Sequence, residues 1–412
     1  MSYRSNSLLM FIVMPVLIFA STVNAYELGP IKVHGYLSQA YINSDHYDFI
    51  GNETQDGSWE HREYGLSLFY RPTSRSYIAT QISNRTSLDN NPNTNETPID
   101  YLVIGFNIHS DYRNQLNLRI GDMRAEQGLY STALNVPTNR DAVFLPQNLY
   151  DDAIRNSFYG VRGFDLTWTR QFKNGDLDVS LTAGLNRWDK SNYWGPTVFG
   201  VAAAPFGISL LDYQVNVAPS PYRQAKAQYV TADMGWKLLF IYRYYELSIE
   251  SDYITNIGAL KFVDTFEHDI RKIISIEREW QNWLLTFEYQ NQHVKTSSAL
   301  TMTDGSPIPG SPFPPATQGA GKTELWYLQS RYFFTSRWDA FVRYEKYIDA
   351  IPASDTRHTW VFGGGWKPYD GVKVRAEYYL NKGTGFKAAV DALGWDYHRY
   401  WRAFAFSVSY QF

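Results

Sequence analysis

The sequence contains no cysteine, which excludes disulfide frameworks, thiolate metal sites and a cysteine nucleophile. It has no run of about 20 apolar residues, the length a bilayer-spanning helix needs. The longest apolar stretch, Leu8–Ala20 (LLMFIVMPVLIFA), is shorter than that and contains Pro15. Amphipathic helical periodicity is almost absent, and so is an excess of one charge. Lys and Arg number 38 against 41 Asp and Glu, a formal net charge of −3, with no basic patch for nucleic acid and no solvating acidic tail. Catalytic signatures are missing too. The eight histidines include no His-x-Glu-x-x-His pair, and there is no Gly-x-Ser-x-Gly elbow or glycine-rich phosphate loop. His358 and His398 read as surface histidines near loop ends, and Gly363–Gly364–Gly365 reads as a bend or close approach within a strand. No enzyme, metal or cofactor is expected.

What is present is aromatic and alternating. Tyr, Phe and Trp make up 17% of the chain, a composition that suits two membrane–water interfaces, where rings with a polar tip sit well. Arg4, the apolar run and the small residues Val23 and Ala25 read as a secretory signal peptide cleaved before Tyr26. Beyond it, segments of about ten residues alternate with period two. In Ile99–Ser110, Leu102, Ile104, Phe106 and Ile108 oppose Tyr101, Gly105, Asn107 and His109. In Arg402–Phe412, Phe404, Phe406, Val408, Tyr410 and Phe412 oppose Ala403, Ala405, Ser407, Ser409 and Gln411. Charge on the second face of such strands needs water, and the first face needs an apolar medium.

Sixteen candidate strands run from His34–Ser44 to Arg402–Phe412. The least secure division separates Ala227–Leu238 from Phe240–Asn256. Short links rich in turn residues, such as Pro72–Arg75, Lys173–Asn174 and Gln281–Asn282, alternate with long ones. The long ones include Asp45–Arg62, Ala125–Tyr159, Trp188–Lys226, Ile257–Arg271 and Thr296–Thr323. This pattern predicts an all-β, up-and-down antiparallel transmembrane β-barrel in one domain, residues 26–412, with both termini on the short-turn side. A sandwich or jelly roll also has many strands but gives no reason for loop length to be one-sided.

The last strand resembles the closing strand of bacterial outer-membrane barrels, which implies an assembly signal at Tyr410 and Phe412. The stretch Gly121–Tyr150 resembles the corresponding region of the phosphate-selective porin O/P-like family. It carries Gly121, Gly128–Leu129–Tyr130, Asn139–Arg140–Asp141, Leu145–Pro146–Gln147 and Tyr150. The resemblance implies a Gram-negative outer-membrane porin whose loop after the fifth strand, about 125–159, folds inward as a constriction. It implies small hydrophilic solutes, outer-membrane lipid and lipopolysaccharide, the barrel assembly machinery and a homotrimer as partners. One departure is that Gly121–Arg162 contains no Lys and mixes Arg with Asp and Glu, so phosphate selectivity does not carry over.

The expected constriction and selectivity residues are Arg119, Arg124, Glu126, Arg140, Asp141, Arg162 and Arg375. Inward wall charges are expected at Arg331, Arg343, Lys373, Asp165, Asp178, Glu250, Glu277, Glu288, Glu345 and Glu377. Tyr130, Phe144, Tyr150 and Phe158 either stack on sugars or wedge the loop against the wall. Two alternatives stay open beside general diffusion: a channel selective for a sugar or an organic or inorganic anion, and a non-conducting barrel with surface-recognition loops.

Overall fold

The structure, a computed structural model, describes residues 26–47, 56–85, 99–131, 136–150, 152, 160–187, 209–308, 316–348, 356–383 and 398–412. The expected signal segment lies outside them. The strands are β1 (Tyr26–Leu28), β2 (Ile31–Ser44), β3 (Arg62–Thr73), β4 (Ser76–Arg85), β5 (Ile99–Ser110) and β6 (Asn114–Arg124). They continue as β7 (Gly160–Phe172), β8 (Gly175–Arg187), β9 (Leu210–Ala218), β10 (Pro221–Thr231), β11 (Trp236–Thr255) and β12 (Gly258–Trp280). The last six are β13 (Trp283–Met302), β14 (Ala316–Phe333), β15 (Trp338–Ile348), β16 (Arg357–Trp366), β17 (Val372–Lys382) and β18 (Tyr400–Gln411).

These strands close into a sixteen-stranded antiparallel barrel. The strand β1 is a short arm folded back on the start of β2, and β9 and β10 form one wall strand in two pieces. Its upper piece, β9, pairs with Ser248–Thr255 of β11, while β10 pairs with β8 and with Lys237–Tyr245 of β11. The break falls at Pro219–Ser220–Pro221, where two prolines remove ladder donors. Closure comes from β18 on β2, in register from Ala403↔Ser44 to Gln411↔Tyr36. Phe412 and Gly35 then exchange both backbone hydrogen bonds, at 2.9 and 3.0 Å. The ring of wall strands is thereby closed, with no free edge at the β18–β2 seam.

The alternation sorts side chains as expected. Ile104, Phe106, Ile120, Phe164, Leu181, Phe240 and Trp360 point outward, 41–54% exposed. Asp165, Arg243, Glu288, Arg331, Arg343 and Glu377 point inward and are at most 2% exposed. On β6–β8, Gly121, Gly163 and Gly184 face one another across adjacent strands. A Cβ at Gly163 would lie 2.1 Å from the Ala183 carbonyl oxygen, and one at Gly184 would lie 2.2 Å from that of Arg162. Glycine is the residue that permits this approach.

Three expectations about the connections need correction. The boundary placed between Leu238 and Phe240 lies at Ala232–Gly235, where Asp233 accepts the Gly235 N–H at 3.0 Å and Met234 has φ of 52°. The region Ile257–Arg271, expected as a long loop, is strand: β11 turns at Asn256–Ile257 straight into β12, with Tyr253 opposite Leu260. Much of Thr296–Thr323 and of Trp188–Lys226 is also strand, in β13, β14, β9 and β10. The reason is shared. These strands extend past the apolar band, and beyond it the outward face turns polar, as at Glu250 and Lys261, while Leu247, Ile249, Tyr253 and Leu260 pack inside. The ladder continues while the apolar-out, polar-in contrast that marks a lipid-facing strand in sequence is lost.

Candidate pore lining and inner loop

The segment after β6 lies inside the barrel and is built into one side of its wall. Wall carboxylates accept its backbone N–H groups. Glu288 Oε2 accepts Leu129 N–H at 2.9 Å, Glu377 accepts Val143 N–H at 2.5 Å and Phe144 N–H at 3.3 Å, and Glu345 accepts Asn148 N–H at 3.2 Å. Glu288 Oε1 also accepts the phenols of Tyr150 (2.7 Å) and Tyr327 (2.6 Å). Burial, and then the Glu288 carboxylate, raise the Tyr150 phenol well above its usual range, so it stays a donor. Wall arginines complete the mounting from the opposite sign. Arg243 donates to Gln127 Oε1 at 2.6 Å and to the Glu126 carbonyl, Arg343 donates to the Phe144 carbonyl at 3.2 Å, and Arg331 donates to the Asp141 carbonyl.

The expected site residues fall into three groups. Arg140, Asp141 and Glu126 hold the loop. Arg140 makes a fork to Glu63 at 2.6 and 2.5 Å with both side chains 2% exposed, Asp141 lies 3.4 Å from Arg331, and Glu126 lies 2.6 Å from Lys226. Arg119 and Arg375 face the lumen from the wall. Arg124 does not bond the loop: it pairs with Asp100 at the end of β6, and Asp100 also accepts from Gln81 at 3.0 Å. Arg162 is a correction, since its side chain is 69% exposed on the outward face beside Phe164 and pairs there with Asp122 at 2.7 Å. Continuing the alternation back from Leu166 and Phe164 places it there. Glu250 is corrected likewise: it follows inward Ile249, faces outward and pairs with Lys261 at 2.6 Å. Tyr130, Phe144 and Tyr150 are 6%, 0% and 0% exposed, so they wedge the loop and offer no stacking surface. Phe158 lies outside the described residues.

Sequence reasoning missed Glu63, Gln127, Arg243 and Tyr327. The available signal was a polar or tyrosine side chain at an inward position, which Arg243 and Tyr327 both meet.

The lumen arginines differ in their partners. Arg119 donates to Asp165 at 2.9 and 3.1 Å, and register carries that row on through Thr182 and Gln224 to Arg243. Arg343 donates to Glu345 at 2.8 Å, and Arg271 lies 3.0 Å from Asp269. Arg375 is 4% exposed, makes no ion pair among the described residues, and its Nε has no hydrogen-bond partner. Two residues away, Lys373 reaches only the Arg140 carbonyl, at 3.5 Å.

The loop leaves one side of the lumen uncovered. From residues 126 to 150 its described hydrogen bonds and ion pairs to the wall go to β10–β18 and β3 and none to β5–β8. There Arg119 has a side chain 37% exposed.

Comparison by sequence finds no matching protein family and no matching curated protein. Comparison by structure does find likenesses. OmpT of Vibrio cholerae in its trimer form aligns with a TM-score of 0.53 at 8% identity, covering 93% of this chain and 99% of that one. The outer membrane channel DcaP of Acinetobacter baumannii gives 0.52 at 8%, covering 95% and 100%. An anion-selective porin from Comamonas acidovorans gives 0.50 at 9%, covering 93% and 99%. At such identities the likeness is one of fold. The chain has the sixteen-stranded barrel architecture of outer-membrane porins.

Proposed function

We propose that the protein is an outer-membrane porin passing small hydrophilic solutes by passive diffusion. One observation carries this reading: a closed wall, apolar outside and polar inside, holds an inner loop against one side only. A water column beside β5–β8 then follows, between the loop and the Arg119–Asp165 row. The loop sets the narrowest cross-section, and paired charges of both signs give the column a transverse field with little overall sign. Residues 1–25 act as the export signal, and Tyr410 and Phe412 as the assembly signal read by the barrel assembly machinery. Lipid and lipopolysaccharide surround the wall, and trimeric relatives of this fold support a homotrimer.

A second reading, preference for anionic solutes, is favoured by Arg375 and Lys373. Their charge is not cancelled by a bonded carboxylate and adds a positive bias to the lumen. Purified, refolded protein in a planar bilayer tests both readings. Stepwise ion conductance is expected, with a reversal potential in a salt gradient displaced towards the anion. Absence of conductance sinks the porin reading in favour of a surface-recognition barrel, and a displacement towards the cation sinks only the second.

A further inference from the structure

The outward face has its own contrast between paired and unpaired charge. Elsewhere on the wall, ionised groups at or above the top of the apolar band stand in pairs, as Arg162 with Asp122, Lys322 with Glu324 at 2.6 Å, and Lys295 with Glu267, or as single cations, as Lys272 and Arg223, rather than as a cluster of one sign. Across β15–β18 unpaired cations cluster. Register puts Lys346, His358, Lys382 and Tyr400 side by side on four consecutive strands. Arg402, opposite Leu380, sits two residues below Tyr400 on the same face. Lys346, Lys382 and Arg402 make no ion pair among the described residues, and none has an interaction beyond those described. Asp45, at the top of β2, accepts the Arg402 backbone N–H at 2.7 Å. His358 Nδ1 lies 2.5 Å from the Tyr344 hydroxyl. Directly beneath this row the outward residues are Trp360, Tyr378, Leu380 and Phe404, 38–47% exposed.

Neighbouring strands lie about 4.8 Å apart, so Lys346 and Lys382, two strands apart, have backbones about 10 Å apart. Their flexible stems can converge on one phosphate or engage two. Three unpaired cations above an aromatic and aliphatic surface match a ligand with phosphate at one end and acyl chains at the other. The top of β15–β18 is the long-loop end of the barrel, opposite the short turns, and in a porin that end faces the outer leaflet. We infer that Lys346, Lys382 and Arg402 form a binding site for the phosphorylated headgroup of an outer-leaflet lipid. Its acyl chains lie along Trp360, Leu380 and Phe404. The inference rests on the outer-membrane reading and assigns a place to the lipid.

The test uses the refolded full-length barrel in detergent with purified lipid A, read by native mass spectrometry. Lipid A lacking its phosphates and inorganic phosphate serve as separate probes. The Lys346→Gln/Lys382→Gln/Arg402→Gln variant is expected to bind lipid A at least tenfold more weakly. Lys272→Gln, an isolated outward cation elsewhere on the wall, is expected to leave binding unchanged. Removal of the lipid's phosphates is expected to weaken the parent to the level of the triple variant. Lipid A binding by the triple variant equal to the parent overturns the site, as does indifference to phosphate removal. Equal binding of inorganic phosphate alone assigns the site to the free anion and overturns the lipid. If the triple variant does not refold, Lys382→Gln alone is expected to show a weaker loss in the same direction, and no loss overturns the site. Bilayer conductance of the parent, measured in parallel, fails only if the pore reading fails, and the triple variant is expected to conduct as the parent does.

Discussion

The two sides of the lumen are built differently. Along β10–β18 and β3, inward groups such as Glu63, Arg243, Glu288, Tyr327, Arg343 and Glu377 are engaged by the loop, whereas Arg375 and the Arg271–Asp269 pair are not. Along β5–β8 the inner wall carries Gly163 and Gly184, the apolar Val103, Met123 and Val161, and Arg119 bonded to Asp165 along the wall. The same alternating code produced both sides, so inward polarity by itself does not identify a pore lining. What separates them is whether the polar groups are matched by a segment of the chain or by one another across strands. A matched side is rigid and dry, and an unmatched side keeps its water.

Removing the loop tests this most severely. Replacing 126–158 by a short glycine–serine linker should raise single-channel conductance several-fold, because the dry side becomes lumen, and unchanged conductance would mean that the loop does not limit the pore. Next in size is the latch at Glu63. Its fork with Arg140 is fully buried, so Glu63→Gln should cost about 3–5 kcal/mol of local stability. Faster hydrogen exchange across residues 136–150 would report it, and exchange equal to the parent would contradict the latch. On the open side, Arg119→Glu should move the reversal potential towards cations by a several-fold change in permeability ratio, whereas Arg343→Met, beneath the loop, should leave that ratio unaltered while lowering thermal stability in detergent. An equal change in permeability ratio from both would erase the difference between the sides. The smallest effect belongs to Arg375→Met. With no bonded carboxylate to strand, it should cause no loss of thermal stability, and a loss as large as that of Arg343→Met would mean that Arg375 has a partner after all.

Much of this was legible in the sequence. Alternation from Leu102 to Ile108 or from Phe404 to Phe412 is imposed by an apolar medium on one face and water on the other, so it survives without any tertiary knowledge. The closing of β18 on β2 followed from an even count and the need to leave no edge. Where the medium stops, so does the code: Gly258–Arg271 is strand, yet here the inward face is the apolar one, with Leu260, Phe262 and Phe266 packed inside, and Lys261 and Glu267 stand outside, so it reads as a loop. The placement of the candidate site was only partly legible. That the segment after β6 enters the barrel came from a motif, but its partners Glu63, Glu288 and Glu377 lie far along the chain, and their pairing depends on barrel registers that no local pattern records. Arg162 is a different kind of miss. It was grouped with the loop, although two more steps of the alternation through Phe164 place it outside.

The seam has a consequence for the order of events in biogenesis. The Ser38–Ser409 hydrogen bond, at 2.9 Å, joins residues 371 positions apart, whereas every other pairing of full wall strands joins close neighbours in the chain. Hairpins can therefore form as soon as their two strands emerge, but the ring has no way to shut until β18 arrives. Until then β2 and the growing front each present an open ladder to whatever is near. Phe412, lying over Gly35 with both backbone bonds made, is the contact that ends that exposure. A chain shortened by a single strand would be left with two permanent edges and an odd number of strands.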